Sequence, residues 1–233
     1  MKSFKSSIIK QIELIPEGKI FTFADLDFPI EKFANVAVII SMLSKEKTLV
    51  RVGKGAYYRP KQSSLGLGLL PVYQDEQLTY LTRKLDGYLT GAYIYNKMSL
   101  TEQVPTVITI AVNQPVRAFK FKKLSVECVK SYVETPNDEN TLHLIRVLDA
   151  IKDLKYIPAT TPQQVYDRIF NLYVSKLPHE SLKKIVSLAT TYPPRVRKIL
   201  SDMLNKNHHS DLCKHLVGTI CPTTRFDLPY KTI

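Results

Sequence analysis

The chain has 233 residues, and 44% of them are hydrophobic, which argues against intrinsic disorder and allows one large or two modest folded domains. Its 33 lysines and arginines exceed its 21 aspartates and glutamates, so the net charge is +12 and a polyanion is the natural class of partner. No run of about 18 apolar residues is present, so we expect no membrane-spanning helix and no membrane partner.

The cysteine content favours a reducing compartment. Cys128, Cys213 and Cys221 are the three cysteines, an odd number in a chain too large to need disulfide stapling. The N-terminal segment becomes amphipathic rather than continuously apolar, which is not the pattern of a secretory signal peptide. We therefore expect a cytoplasmic protein.

Two short elements are predicted at the start of the chain. Apolar residues at helical spacing predict a first helix, which Pro16 ends. They are Phe4, Ile8, Ile12 and Ile15. Residues 18–23 then alternate like a short strand, and Thr22 can cap a turn of helix over residues 23–26.

A longer helix and a hairpin complete the first predicted domain. Residues 30–45 read as a helix because five residues fall on one narrow arc at 3.6-residue spacing. They are Phe33, Val36, Ile40, Leu43 and Lys47. Residues 48–60 form two β-prone runs joined by Gly53-Lys54-Gly55, a hairpin signal. Helix, short helix, helix and hairpin is the order of a winged helix-turn-helix, predicted here over residues 1–60.

The rest of the chain predicts a larger, mainly helical domain with a short β-sheet. Residues 61–70 hold serines and glycines that break any regular period, so they are the candidate linker to a domain over residues 71–233. Strands are predicted at 106–112 and 117–124, and helices at 75–84, 92–98, 140–155, 162–177, 179–190 and 194–207. The tail from Cys213 on has weak periodicity and is expected either to pack as an extended segment or to fray. The predicted fold class is α+β.

The second long helix is the candidate DNA-reading element, since a helix of this kind enters the major groove. Its outer arc is apolar for a base reader. The arc and its flanks consist of Glu31, Ala34, Val38, Ser41, Met42 and Lys45, with Lys32 and Asn35 at the sides. Asn35 can pair with an adenine edge, and Ser41 can bond a base or a phosphate. The alternative is that Val38 and Met42 belong to a protein contact.

The hairpin is the second candidate DNA contact. Arg51, Lys54 and Arg59 lie in or beside a tight turn whose tip can reach phosphates or the minor groove. Tyr57 and Tyr58 alternate, so one should face the core while the other could lie on the DNA backbone. The alternative is a cationic turn that is simply solvated.

A second basic surface is expected in the larger domain. Its candidate residues are Arg117, Lys120, Lys122, Lys123, Arg195, Arg197 and Lys198. Such groups could contact phosphates, although a run of charge is also typical of a solvated face.

The sequence contains no recognisable catalytic motif, so we expect no enzymatic activity and no cofactor. The segment from His208 to Cys221 holds several residues of metal-ligating type, but their spacing matches no zinc motif, and no metal is expected there. Residues 65–70 lack the third glycine and the preceding strand of a dinucleotide-binding loop.

Three motifs in the same order resemble the AbiEi family of bacterial antitoxins. They are the hairpin at residues 49–60, Gly87-Tyr88-Leu89-Thr90-Gly91 at 87–91, and Leu100-Thr101-Glu102-Gln103-Val104-Pro105 at 100–105. The resemblance covers about residues 1–130, and beyond that it extends only to helical character.

This resemblance implies the antitoxin half of a type IV toxin–antitoxin pair. Members are expected to repress their own operon by binding promoter repeats through the winged helix. They are also expected to counteract a co-encoded nucleotidyltransferase-like toxin without requiring a stable complex. Two alternatives stay open: a non-enzymatic protein-interaction module with basic surfaces, and a nuclease-like enzyme acting through the C-terminal domain.

Overall fold

The structure of the chain is a computed structural model that describes residues 4–66, 68–228 and 230. Over these residues the chain forms nine α-helices and seven β-strands in two sheets. The predicted α+β class is confirmed. The chain divides into two compact units, with Lys84 ending the first and Leu85 beginning the second.

The first unit contains three helices, three strands and two 3-10 turns. Its elements are α1 (Phe4–Leu14), β1 (Ile20–Thr22), a 3-10 turn (Phe23–Asp25), a second 3-10 turn (Ile30–Lys32), α2 (Phe33–Lys45), β2 (Val50–Gly53), β3 (Ala56–Tyr58) and α3 (Gln74–Leu85). The element order up to β3 agrees with the order expected from sequence.

A small antiparallel sheet joins the hairpin to the strand after α1. Its order is β1-β3-β2, with Phe21 opposite Tyr57 and Arg51 opposite Tyr57 on the other side. The apolar faces of α1 and α2 pack with this sheet into one core. Its buried members are Ile8, Ile12, Phe21, Leu26, Val36, Ile39, Ile40, Leu43 and Leu49.

The buried face of α2 differs from its predicted arc in three positions. Ile39 is buried where the arc expected none, and Lys47 lies beyond the helix end, exposed and with φ of 60°. Phe33 is 49% exposed, because it packs sideways against Phe23 and Phe28 rather than down into the core. The prediction extended the helical spacing to Lys47, but the backbone turns after Lys45, so Lys47 does not lie on the arc.

Helix α3 packs with the first unit, although the sequence assigned it to the second domain. The Glu76 carboxylate accepts a hydrogen bond from the Ile20 amide at 2.9 Å, and the Arg83 guanidinium pairs with Asp25 at 3.0 Å. Within residues 61–70, Gln62 and Leu69 form an isolated antiparallel bridge. The division by contacts therefore differs from the predicted limits of 1–60, 61–70 and 71–233.

The second unit combines a four-stranded sheet with six helices over the described residues. Its elements are β4 (Gly87–Thr90), α4 (Gly91–Lys97), β5 (Val107–Val112), β6 (Phe119–Phe121), β7 (Leu124–Lys130), α5 (Glu139–Lys152), α6 (Pro162–Leu172), α7 (His179–Ala189), α8 (Pro194–Lys206) and α9 (Ser210–Gly218). The sheet order is β4-β5-β7-β6, and β5 runs parallel to β7.

Two elements of this unit were missed or misplaced from sequence. The exposed strand expected at 117–124 is split into the edge strand β6 and the start of β7, with Lys122 turning at φ of 54°. The tail expected to be extended or frayed contains α9, whose Leu216 is fully buried in the helical core. Helix α9 forms because it packs against α8, a tertiary contact that local periodicity does not report.

Close packing explains the glycines of the 87–91 motif. Gly91 has φ of +70°, and a Cβ there would lie 2.7 Å from the Thr109 hydroxyl and 2.8 Å from the Thr109 Cβ. A Cβ at Gly87 would collide with the carbonyl oxygen of Ala111. Both glycines let β4 and the start of α4 approach β5, so they serve the fold of the second unit.

The threonine of the same motif belongs to a buried polar network. The hydroxyls of Thr90 and Tyr192 donate to the two carboxylate oxygens of Asp149 at 2.7 and 2.9 Å. Burial raises the pKa of Asp149, because it disfavours the charged carboxylate. The network ties β4 to α5 and to the segment before α8.

Candidate nucleic-acid interface

The outer face of α2 is exposed and mixed in character. Asn35, Ser41 and Lys45 are exposed, as is Lys32 in the preceding 3-10 turn. Val38 lies among them with 69% of its surface exposed. Met42 is half-buried against the core, so it leaves the predicted outer arc. The remaining face offers an amide, a hydroxyl and two ammonium groups around the exposed apolar side chain of Val38.

The tip of the β2–β3 hairpin presents Lys54. Lys54 and Gly55 form the turn, and Gly55 adopts φ of +69°, a conformation that favours glycine. The Lys54 side chain is exposed. Arg51, three residues earlier in β2, is also exposed, and its Nε donates to the Gly53 carbonyl oxygen at 3.1 Å. A tight, cationic tip results.

One predicted DNA contact of the hairpin, Arg59, is bound within the fold, and of the two alternating tyrosines Tyr58 is the buried one. The Arg59 guanidinium donates to the carbonyl oxygens of Glu13 and Ile15 at 2.7 and 2.8 Å, closing the C-terminus of α1. Tyr57 is half-buried, with its ring 6.2 Å from that of Phe23. Helix ends leave carbonyls unsatisfied, and an arginine close in space satisfies these.

An aromatic contact connects α2 to the hairpin tip. The Phe23 ring lies 4.9 Å from the Phe33 ring at the start of α2. On its other side, Phe23 lies under the tip, where a Cβ built on Gly55 would be 3.8 Å from the ring. The first turn of α2 and the hairpin tip therefore border the same side chain.

A groove of about 390 Å³ opens beside the hairpin tip, within the first unit. Its lining comes from the turn after β1, from the tip and from α3. The lining residues are Thr22, Phe23, Ala24, Lys54, Gly55, Tyr80, Arg83 and Lys84. Two of the three cations come from the last turn of α3, outside the domain predicted from residues 1–60.

An ion pair fixes one wall of this groove. The Asp25 carboxylate accepts from the amide and the hydroxyl of Thr22 at 2.7 and 3.0 Å, and from Arg83 at 3.0 and 3.2 Å. Partial burial would raise the pKa of Asp25, but the hydrogen bonds from Thr22 and the Arg83 charge outweigh it and lower the pKa. Thr22 is therefore the N-cap of the turn over Phe23–Asp25, as predicted, and the Asp25 side chain completes a capping box by accepting from its amide.

The residues of the predicted second basic surface fall on separate elements and differ in exposure. Arg117, Lys120, Lys122 and Lys123 are exposed on or beside the edge strand β6. The three residues of α8 are half-buried: Arg197 donates to the Thr219 carbonyl at 2.6 Å, and Lys198 pairs with Asp202 at 2.6 Å. Arg195 lies at the start of the same helix. Arg197 and Lys198 therefore serve internal contacts.

The remaining sequence-based expectations concern metals and membranes. Across the described residues, no group of three or more His, Cys, Asp or Glu side chains is placed to hold a metal ion. None of the helices over these residues combines the length and apolar character needed to cross a bilayer. Cys221 is exposed, and its hydrogen bonds with Thr223 lower its pKa.

Sequence reasoning missed Arg83 and Lys84 as members of the site. The signal was present, because basic residues end the helix predicted at 75–84. These basic residues were not considered as DNA contacts, because the sequence pattern assigned that helix to the other domain. Tertiary packing moves the last turn of α3 next to the hairpin tip.

Comparison with known proteins identifies the family of the chain. Residues 7–166 match the model of a family of unknown function, DUF6088, and the chain belongs to that family. No curated protein matches the sequence. Among solved structures, the chain resembles the RV2827C protein of Mycobacterium tuberculosis, with 14% identity and a TM-score of 0.42 over 95% of this chain and 83% of that one.

Proposed function

We propose that this DUF6088 family member binds double-stranded DNA through a winged helix-turn-helix in its first unit and represses transcription. In this proposal α2 enters the major groove and the β2–β3 hairpin is the wing. The observation that carries it is the exposed cationic tip at Lys54, which borders Phe23, the side chain that also packs against Phe33 in the first turn of α2. The net charge of +12 also favours a polyanionic partner.

Two kinds of contact are expected within this interface. Lys54 and Lys32 address phosphates, which gives affinity without sequence preference. Asn35 and Ser41 have the hydrogen-bonding groups to address base edges from the exposed face of α2. Because this face is short of polar groups, sequence preference also depends on DNA shape at the wing.

Fluorescence anisotropy with the DNA directly upstream of the gene tests the proposal. We expect the full chain to prefer this duplex over one of scrambled sequence at moderate salt. Lys54→Ala should weaken binding to both duplexes and reduce the slope of log K against log salt by about 0.9. Asn35→Ala should lose about 1–3 kcal/mol of discrimination at one base pair. Equal binding of both duplexes by the wild type would overturn repression of this promoter.

A protein-interaction role for this surface is the second candidate, favoured by exposed apolar side chains on α2 and in the 3-10 turn before it. Ile30 is 83% exposed and Val38 69% exposed. The Val38→Ser variant separates the two: DNA affinity should change little if α2 reads DNA mainly through polar groups. A lost partner interaction with retained DNA binding would assign the apolar patch to protein contact.

We further propose that the chain is the antitoxin of a type IV pair, autoregulating its operon and counteracting a nucleotidyltransferase-like toxin. The support is the AbiEi resemblance in three ordered motifs at residues 49–60, 87–91 and 100–105. Co-expression with an adjacent nucleotidyltransferase-like reading frame should restore growth. Because α3 packs with the first unit, Lys54→Ala in the full chain is a cleaner test than deleting residues 1–60. It should relieve repression and keep the rescue of growth; failure of the wild type to rescue would refute the antitoxin role.

A further inference from the structure

The groove beside the hairpin tip has cations from two elements that are distant in sequence. Lys54 comes from the tip and Lys84 from the last turn of α3, and both line the same groove. Both side chains are exposed, and over the described residues neither ammonium group has an ion-pair partner. The Lys84 Nζ lies 5.8 Å from the centroid of the Tyr80 ring.

Arg83, the third cation of the groove lining, is already bound by a carboxylate of the same unit. Its guanidinium is bound by both carboxylate oxygens of Asp25, at 3.0 and 3.2 Å. Asp25 is itself held by two hydrogen bonds from Thr22, so the pair locks the last turn of α3 to the turn after β1. Arg83 is therefore a positioning residue that places its neighbour Lys84 at the groove.

The groove and the first turn of α2 share the side chain of Phe23. Phe23 forms part of the groove lining and also contacts Phe33 in the first turn of α2, with ring centroids 4.9 Å apart. Gly55 of the tip lies against the same ring. A DNA duplex that contacts both the first turn of α2 and the wing tip would therefore pass beside the groove.

We infer that α3 extends the DNA interface: a phosphate group of the duplex backbone lies in the groove and is bound by Lys54 and Lys84 together. This inference rests on the proposed DNA-binding function and adds a contact from outside the predicted winged helix. Two unpaired ammonium groups facing one groove repel each other and are stabilised by an anion between them. The phosphodiester backbone supplies such anions at close, regular spacing.

The inference predicts a specific salt dependence for Lys84→Gln in the full chain. Each phosphate contact contributes about 0.9 to the slope of log K against log salt, so losing one reduces the slope by about that amount. Between about 50 and about 200 mM salt, wild-type affinity should therefore fall about threefold more than that of the variant. Lys84→Gln should lower affinity equally for the upstream duplex and the scrambled duplex.

Lys61→Gln is the matched control, because it removes the same charge from the same unit. Lys61 is exposed and follows β3 at the end of the hairpin away from the tip. Its slope should equal that of the wild type. Far-ultraviolet circular dichroism and a thermal melt of each variant verify that the fold is retained.

The outcomes separate this inference from the proposal on which it rests. Wild-type binding with a reduced slope for both Lys54→Gln and Lys84→Gln supports it. A wild-type slope for Lys84→Gln, with a reduced slope for Lys54→Gln, overturns the role of α3 and leaves the winged helix standing. Equal reductions for Lys61→Gln and Lys84→Gln would assign the effect to net charge and also overturn the contact. No binding by the wild type refutes both.

Discussion

The groove of the first unit and helix α8 of the second unit use positive charge in different ways. In the first unit, Lys54 and Lys84 face solvent at the rim of one groove and have no ion-pair partner over the described residues. In the second unit, Arg197 and Lys198 bind a carbonyl and a carboxylate of their own fold. A cluster of basic residues in a sequence is therefore a candidate surface only until the structure shows which cations the fold already uses.

The first unit also contains both kinds of cation, one bound within the fold and one exposed. Arg59 and Lys54 lie five positions apart in one hairpin and were predicted to share a role. Arg59 closes the end of α1, whereas Lys54 stays exposed at the tip. The guanidinium has five donors in a fixed fork, so it is suited to satisfying two carbonyls at once.

The largest effect is expected at Gly91, where the second unit has no room for a side chain. Gly91→Ala should lower the free energy of unfolding by about 2–4 kcal/mol, because φ is positive and the new methyl group collides with Thr109. Chemical denaturation measures this change. Gly218→Ala is the control, since a Cβ there meets nothing within 4 Å; equal stability of the two variants would disprove the close packing.

Loss of the Thr90 hydroxyl should have the next largest effect. Thr90→Val leaves one oxygen of the buried Asp149 carboxylate without its donor, at a cost of about 1–3 kcal/mol. Thr191→Val removes an exposed hydroxyl and should stay within about 0.5 kcal/mol of the wild type. A similar loss for both variants would mean that the buried network adds no particular stability.

Arg59→Gln should lower the stability of the fold and leave DNA binding by the hairpin unchanged. The side chain is 25% exposed and its bonds to Glu13 and Ile15 are charge-assisted, so stability should fall by about 1–2 kcal/mol. The salt slope of DNA binding should not change. Lys54→Gln should do the reverse, and a reduced slope for Arg59→Gln would restore its predicted phosphate contact.

The smallest effect is expected in the second basic surface. Lys198→Gln should lower stability by about 1 kcal/mol, because Asp202 is only 8% exposed and keeps only its bond from Tyr230. Lys120→Gln, on the exposed edge strand, should stay within about 0.5 kcal/mol. Thermal melts at equal salt compare the two, and a reversed order would show that the edge-strand lysine is the one bound within the fold.

Local patterns predicted most of the elements. The 3.6-residue spacing of apolar residues placed α1, α2 and the helices α5 to α8 within a few residues of their observed bounds, and the β-branched run at 106–112 predicted the buried strand β5. These patterns work because each element buries one face wherever it packs. Local patterns did not predict helix α9, since its formation depends on its contact with α8.

The candidate site was predictable in part. The glycines around Lys54 marked the hairpin tip, because a two-residue turn needs a residue that tolerates positive φ. Arg59 and Met42 were assigned to the surface from charge or spacing, but Arg59 binds the end of α1 and Met42 packs partly against the core. Spacing along one element does not report what a neighbouring element presents to it.

By itself, the amino-acid sequence determined the α+β class, the order of the N-terminal elements and the turn that exposes Lys54, since all three follow from residue periodicity and backbone preference. The tertiary structure alone decided which cations are free. It joined α3 to the first unit through Glu76 and through the Asp25–Arg83 pair, and so brought Lys84 to the groove of Lys54. Charge acts through space, and residues 30 positions apart become one site only when the chain folds.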